Sequence, residues 1–269
     1  MPINPNADPV VLVVHGVQLG EDDDANQHLD IEALVKARQV APQAFSVDAY
    51  KYENVNDQAV AKLKDLSRIL IRSTVGQILT PKVIDIVFDV VISLRNGSTA
   101  NRIREGLKQK ILSYYQAGRP LFIVAHSLGS VYTFDVINEL IKEGPYFKRN
   151  APLTFPALGL VTIGSPLGLD MFKATGRNIA EKLGTGRVPF QWLNYFDTND
   201  PIVSGNIFGK QLTDLSIAGN YRQDGDDFGW FIRDFPVVTG KAHLLAHIAY
   251  WNDIKVGDGL VGLLSLVKR

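Results

Sequence analysis

The stretch FIVAHSLGSVYTFDVI, Phe122 to Ile137, decides how the chain is read. An apolar run ends at Ser127, with small residues two positions away on either side, Ala125 and Gly129. A helical pattern begins at once and runs from Leu128 to Gly144, whose glycine closes it. So tight a strand-to-helix corner brings the side chains on either side of the serine together, so those positions must be small. The corner also exposes the Ser127 hydroxyl above the strand ends, at the positive end of the next helix. There the backbone N–H of Leu128 would point at a developing oxyanion. An ordinary helix cap is the plainer role for the same serine.

Outward from this corner, the chain alternates strands and helices. VVLVVHG, Val10 to Gly16, is a continuous β-branched run of the kind buried on both faces of a parallel sheet. FSVDAYKY from Phe45, LFIVA from Leu121, ALGLVTIGSP from Ala157, FQWLNYFD from Phe190 and GWFIRDFPVV from Gly229 read as further strands. Helices are expected from Asp57 to about Leu94, broken at Thr80-Pro81, and again over Ala100–Gln116 and from Leu244 to Trp251, with an apolar segment after the last. The fold class is therefore α/β, a mostly parallel sheet with helices on both faces. Ligands of such sheets sit beyond the carboxyl ends of the strands, where the unusual residues of this chain fall.

Composition narrows the function. The 269 residues fit one α/β domain with ample core, 46% of them hydrophobic and 21% charged. Lys+Arg and Asp+Glu are both 28, so there is no basic excess of the kind nucleic-acid binding requires. With no cysteine, a thiol nucleophile, disulfides and thiolate-bound zinc are all excluded, which fits a reducing, cytoplasmic setting. The polar, proline-rich start MPINPNADP lacks the pattern of a signal peptide, and no run of about 18 uncharged apolar residues suggests a membrane span.

AHSLGS, Ala125 to Ser130, resembles the nucleophile elbow of the lipase and esterase branches of the α/β-hydrolase superfamily. VVHG, Val13 to Gly16, is similar to the entry of that family's oxyanion loop, and TIGSPLGL, Thr162 to Leu169, to the strand after its elbow helix. The resemblance covers most of the chain and implies a single α/β-hydrolase domain over 1–269. It departs from the family in two ways. The chain starts directly at the oxyanion-loop strand, so the usual first strands are missing or displaced. A helical insertion, about 57–116, fills the long gap between oxyanion loop and elbow. Ala125 also stands where glycine is commoner.

A serine hydroxyl needs a base, and the base an orienting carboxylate. There are five histidines: His15 ends the first strand, His28 lies in a polar stretch, His126 is inside the elbow, and His243 and His247 follow the last strand. The chain order Ser, Asp, His restricts the base to His247 or His243. HIAYW, His247 to Trp251, is similar to the C-terminal pattern of lipase-like members, which favours His247. His243 remains the alternate, nearer the loop after the strand. For the acid, NYFDTNDPIVS offers Asp197 and Asp200. The family's DPV-type loop points to Asp200, with Asp197 the alternate. Both also suit turn capping. The resemblance implies an oxyanion hole from the N–H groups of Val17 and Leu128, with His15 organising the loop, although turn chemistry alone also explains HG.

The remaining unusual stretches carry plainer readings. His243 and His247 are spaced as helix neighbours, but HLLAH lacks the glutamate of the zinc motif and a third ligand, so no metal is expected. EDDD, Glu21 to Asp24, lacks calcium-loop spacing and reads as a solvated loop. VIDIVFDVVISL, Val83 to Leu94, is a core-packing helix with a wet edge at Asp85 and Asp89, or else a lid facing the substrate.

Together these readings point to a serine hydrolase acting on a small-molecule or lipid acyl ester, without cofactor, and with peripheral membrane contact at most. Thioesterase or acyltransferase chemistry would use the same groups, and a non-catalytic module binding a lipid or protein is the alternative from another class.

Overall fold

The structure, a computed structural model, describes residues 3–16, 26–52, 97–143, 146, 154–169, 190–204, 232–241 and 244–267. Within them six strands form one sheet: β1 (Val10–Val14), β2 (Ser46–Tyr50), β3 (Leu121–His126), β4 (Gly159–Ile163), β5 (Gln191–Phe196) and β6 (Ile232–Pro236). Their order is β2-β1-β3-β4-β5-β6, and every neighbouring pair is parallel. The expected parallel sheet is present, and each described strand lies inside the stretch that its sequence predicted, save that β3 runs one residue further, to His126.

The side-chain period of two explains the unbroken apolar run of β1. Val10, Leu12 and Val14 enter one core, while Val11 and Val13 enter the other. The first core is closed by α2 (Ser98–Gln116) and α3 (Leu128–Lys142). The second is closed by α1 (Gln27–Arg38) and α6 (Ile254–Leu264). Burying each valine or leucine of this strand stabilises the fold by roughly 1.5–3 kcal/mol, so β1 is firm support beneath the site.

Sequence periodicity does not assign α1. The structure folds the polar stretch containing His28 as a twelve-residue helix. Only Ile31 and Val35 are buried in it, so its apolar stripe is two residues wide and gives almost no periodic signal. The helix expected from Leu244 to Trp251 is a correction of the opposite kind. It is a one-turn α5 (Leu244–His247) followed by a separate 3₁₀ turn, Tyr250–Asn252. The break follows His247, whose carbonyl accepts from the side chain of His126. A short α4 (Pro201–Ser204) follows β5.

The helices expected between Asp57 and Leu94, the stretch Val83–Leu94, the EDDD run, Gly144, Val17 and His243 lie outside the described residues. The last helix of the expected insertion is α2. Among the described residues no helix is long and apolar enough to cross a membrane.

Candidate active site

Ser127 sits at the carboxyl end of β3 with φ 51° and ψ −129°, and it is the one non-glycine residue with positive φ among those described. Such a conformation costs a side-chain-bearing residue on the order of 1–3 kcal/mol, so the surroundings must impose it. They do so through hydrogen bonds to both peptide groups of the serine. Its N–H donates to the Ile163 carbonyl on β4 at 3.2 Å. Its carbonyl accepts from the Ser130 hydroxyl at 2.5 Å and from the Ser130 N–H at 3.0 Å. Ser130 Oγ is in turn 2.7 Å from Ser165 Oγ, which accepts from the Leu167 N–H. These bonds fix the order of the protons: Ser165 donates to Ser130, and Ser130 to the strained carbonyl.

The small residues around the corner have a steric cause. A Cβ on Gly129 would lie 2.2 Å from the His15 carbonyl oxygen and 2.7 Å from that of Val14. A Cβ on Gly16 would lie 2.5 Å from the Ser127 Cβ. The HG pair at the end of β1 therefore presses directly on the elbow, which a turn signal alone would not require. Ala125 is fully buried between β1 and β4.

The Ser127 side chain makes no capping bond to α3. Instead its Oγ lies 2.9 Å from His247 Nε2. His247 Nδ1 lies 2.8 Å from Asp200 Oδ2, and Asp200 is fully buried. Asp200 Oδ1 accepts from the Ile202 N–H at 2.9 Å, anchoring the carboxylate to the start of α4. This arrangement sets the tautomer: Nδ1–H donates to Asp200 and leaves the Nε2 lone pair facing the serine.

Asp197, the alternate acid, points elsewhere. Its Oδ2 accepts from the N–H and the hydroxyl of Thr239 at 2.8 and 2.7 Å, and its Oδ1 from the Asn199 N–H. It ties the loop after β5 to the loop after β6 and so supports both partners of the serine.

Two buried histidines stand behind the site. His126 Nε2 lies 2.8 Å from the His247 carbonyl, and its ring lies 4.7 Å from the His247 ring and 5.0 Å from that of Trp251. Burial, then the neighbouring His247, holds its pKa well below the ordinary 6.5, so it stays neutral and donates from Nε2. His15 is lowered to about 4 by burial, then by His28 and Lys51. Among the described residues its buried Nε2 meets no hydrogen-bond partner. A ring so disposed packs against Trp251 at 6.3 Å as part of the wall and is neutral at neutral pH.

Two further residues shape the site without a strong sequence signal. Gly164, at φ 56°, leaves room where a Cβ would meet Tyr250 at 2.9 Å, His247 Nδ1 at 3.1 Å and Asp200 Oδ2 at 3.2 Å. Tyr250 donates its hydroxyl to Asp200 Oδ2 at 2.9 Å. In the sequence Tyr250 stands only as part of the HIAYW pattern that favours His247. That a buried phenol must find a polar partner was the available clue to more.

A serine on a strained turn after the third strand of a parallel sheet, an acid after the fifth strand and a histidine after the sixth occur here in that chain order. The chain has the α/β-hydrolase fold.

No family model and no curated protein matches the sequence. Solved structures do resemble this chain. One, from Agrobacterium tumefaciens, is described as a protein of unknown function and a candidate alpha/beta hydrolase. It is 12% identical over 97% of this chain and 84% of that one, with a TM-score of 0.40. A candidate hydrolase from Agrobacterium vitis S4 is 10% identical over 98% and 90%, also at 0.40. An uncharacterized protein from Pseudomonas aeruginosa is 10% identical over 93% of this chain and 46% of that one, at 0.37. Likenesses of this size assign no activity to this chain.

Proposed function

We propose that the protein is a serine hydrolase that cleaves a carboxylic ester through an acyl-enzyme. The observation that carries this reading is the continuous line from Ser127 Oγ to His247 Nε2 at 2.9 Å and from His247 Nδ1 to Asp200 Oδ2 at 2.8 Å, on a serine held at φ 51°.

The chemistry follows from those contacts. Ser127 Oγ attacks the acyl carbonyl carbon while its proton passes to His247 Nε2. Asp200 keeps the imidazole in its Nδ1–H tautomer and stabilises the imidazolium that forms. The carbonyl oxygen becomes an oxyanion, met by the Leu128 N–H in the first turn of α3 and, in this proposal, by the N–H of Val17. Collapse expels the alcohol, which takes the proton from Nε2. Water then gives a proton to Nε2 as its oxygen attacks the acyl carbon. The acid leaves and Ser127 recovers its proton. The substrate on this reading is a small-molecule or lipid acyl ester, and the cysteine-free chain acts in the cytoplasm.

The test is hydrolysis of p-nitrophenyl acetate together with labelling by a fluorophosphonate probe. The wild type should turn over the ester and take the label on Ser127, and Ser127→Ala should do neither. A folded wild type that neither labels nor hydrolyses short acyl esters or thioesters is a binding module, and the proposal is then wrong.

A further inference from the structure

Tyr250 is fully buried three residues beyond His247, and its hydroxyl joins the two acids of the β5–α4 loop. The Asp197 N–H donates to this hydroxyl at 2.9 Å, occupying a lone pair. The phenol proton is thereby directed at Asp200 Oδ2, 2.9 Å away. That is the same oxygen that holds His247 Nδ1. Burial, then the charge of Asp200, pushes ionisation of the phenol far upward, so the group remains a donor throughout the range in which an esterase works.

We propose that Tyr250 is a positioning residue that acts through Asp200: it fixes the carboxylate against His247 and draws off part of the charge that the imidazolium would feel. The inference rests on the proposed role of His247 as base, but its geometry does not. A hydrogen bond from a neutral donor to a carboxylate stabilises the anion and reduces its basicity. With Tyr250 present, Asp200 attracts a proton on the His247 ring less strongly than it would alone. A packing anchor would contribute the ring and leave this balance untouched.

Among the described residues, His247 is surrounded by groups from the loop after β5, the elbow and its own segment. Asp200 and Asp197 come from the loop after β5, His126 and Ser127 from the elbow, and Tyr250 from its own segment. His15, at the end of β1, acts through His126. His126 and His15 are held neutral by burial, so neither carries charge at neutral pH.

The experiment is an NMR titration of the His247 ring in full-length protein labelled with ¹⁵N-histidine. It compares wild type, Tyr250→Phe, and protein carrying 3-fluorotyrosine at 250. Loss of the hydroxyl should move the His247 titration to higher pH, by about one pH unit, the scale of one hydrogen bond to a charged group. Fluorotyrosine, nearly the same size and a stronger donor, should move it to lower pH. The readout needs no turnover, so an inactive wild type would sink the esterase reading without deciding this one. Superimposable titrations in the three proteins, or shifts of the opposite sign, would overturn the role given to Tyr250. If Tyr250→Phe does not fold, the fluorotyrosine protein alone decides by the direction of its shift.

Discussion

Gly16 and Ser127 are in contact through the space that a Cβ on Gly16 would fill, 2.5 Å from the Ser127 Cβ. The end of β1 is thus seated against Ser127. Gly16→Ala should force either this turn or the elbow to shift, and displacement on the order of 1 Å at reacting atoms costs about 10²-fold in rate. The expected outcome is a fall in kcat of that size with Tm little changed, measured by ester turnover and thermal melting. A variant with wild-type kcat would show that the contact can relax without disturbing the site.

Ser127→Ala should remove activity and leave the fold intact. Loss of a triad nucleophile costs about 10⁴-fold or more in kcat. Among the described residues the hydroxyl bonds only to His247, while the strained peptide is held through its own N–H and carbonyl, which alanine keeps. Residual turnover above about a tenth of wild type would remove Ser127 from the nucleophile's role.

Gly129 is the steric limit of the elbow. A methyl there meets the His15 carbonyl at 2.2 Å, and backbone atoms of a central strand cannot give way as a side-chain tip can. Gly129→Ala should destabilise by about 3 kcal/mol or more, the upper range for overpacking, read from urea unfolding midpoints. An unchanged midpoint would mean that the helix can move away from β1.

Much of this was legible in the sequence because each signal was local. The apolar run Val10–Val14 marks a strand buried on both faces, and small residues on either side of Ser127 between a strand and a helix mark a tight corner, although a helix cap was the plainer role for the serine. The α1 helix was not legible, because two buried residues in twelve carry no period. The break between α5 and the Tyr250–Asn252 turn was not legible either. Its cause is a hydrogen bond from His126, distant by 121 positions in the chain. The choice between Asp197 and Asp200 is likewise a matter of long-range geometry. Both residues follow the same strand, and only the partner of each separates them.

Those partners set up the next comparison. Asp200→Asn should keep the fold and lose about 10⁴-fold in kcat, because the amide can hold His247 in the wrong tautomer. Asp197→Asn should chiefly lower Tm, since it weakens the clasp on Thr239 and leaves the His247 contact in place. The paired measurements are kcat and Tm for both variants. Equal losses of kcat in the two would contradict the division of labour seen in the hydrogen bonds.

The buried His15 makes a prediction about acid. Its folded pKa is about 4, lowered from 6.5 first by burial. Above pH 6.5 the ring is neutral in both folded and unfolded chains, and its contribution to stability is constant. As pH falls below 6.5 the unfolded chain takes up a proton that the folded protein refuses, so stability drops. The loss amounts to about 1.4 kcal/mol per pH unit and continues until the folded ring titrates near 4. Carboxylates contribute their own slope in this range, so the decisive quantity is a difference between two proteins. Urea unfolding of wild type and His15→Gln at pH 6.5, 5.75 and 5.0 should show a shallower pH dependence in the variant, by about 1.4 kcal/mol per unit toward the lower end. The comparison uses slopes, so any fixed cost of the substitution cancels. Parallel lines would mean that the folded protein accepts a proton at His15 as readily as water does, and that the ring is not sealed behind Trp251.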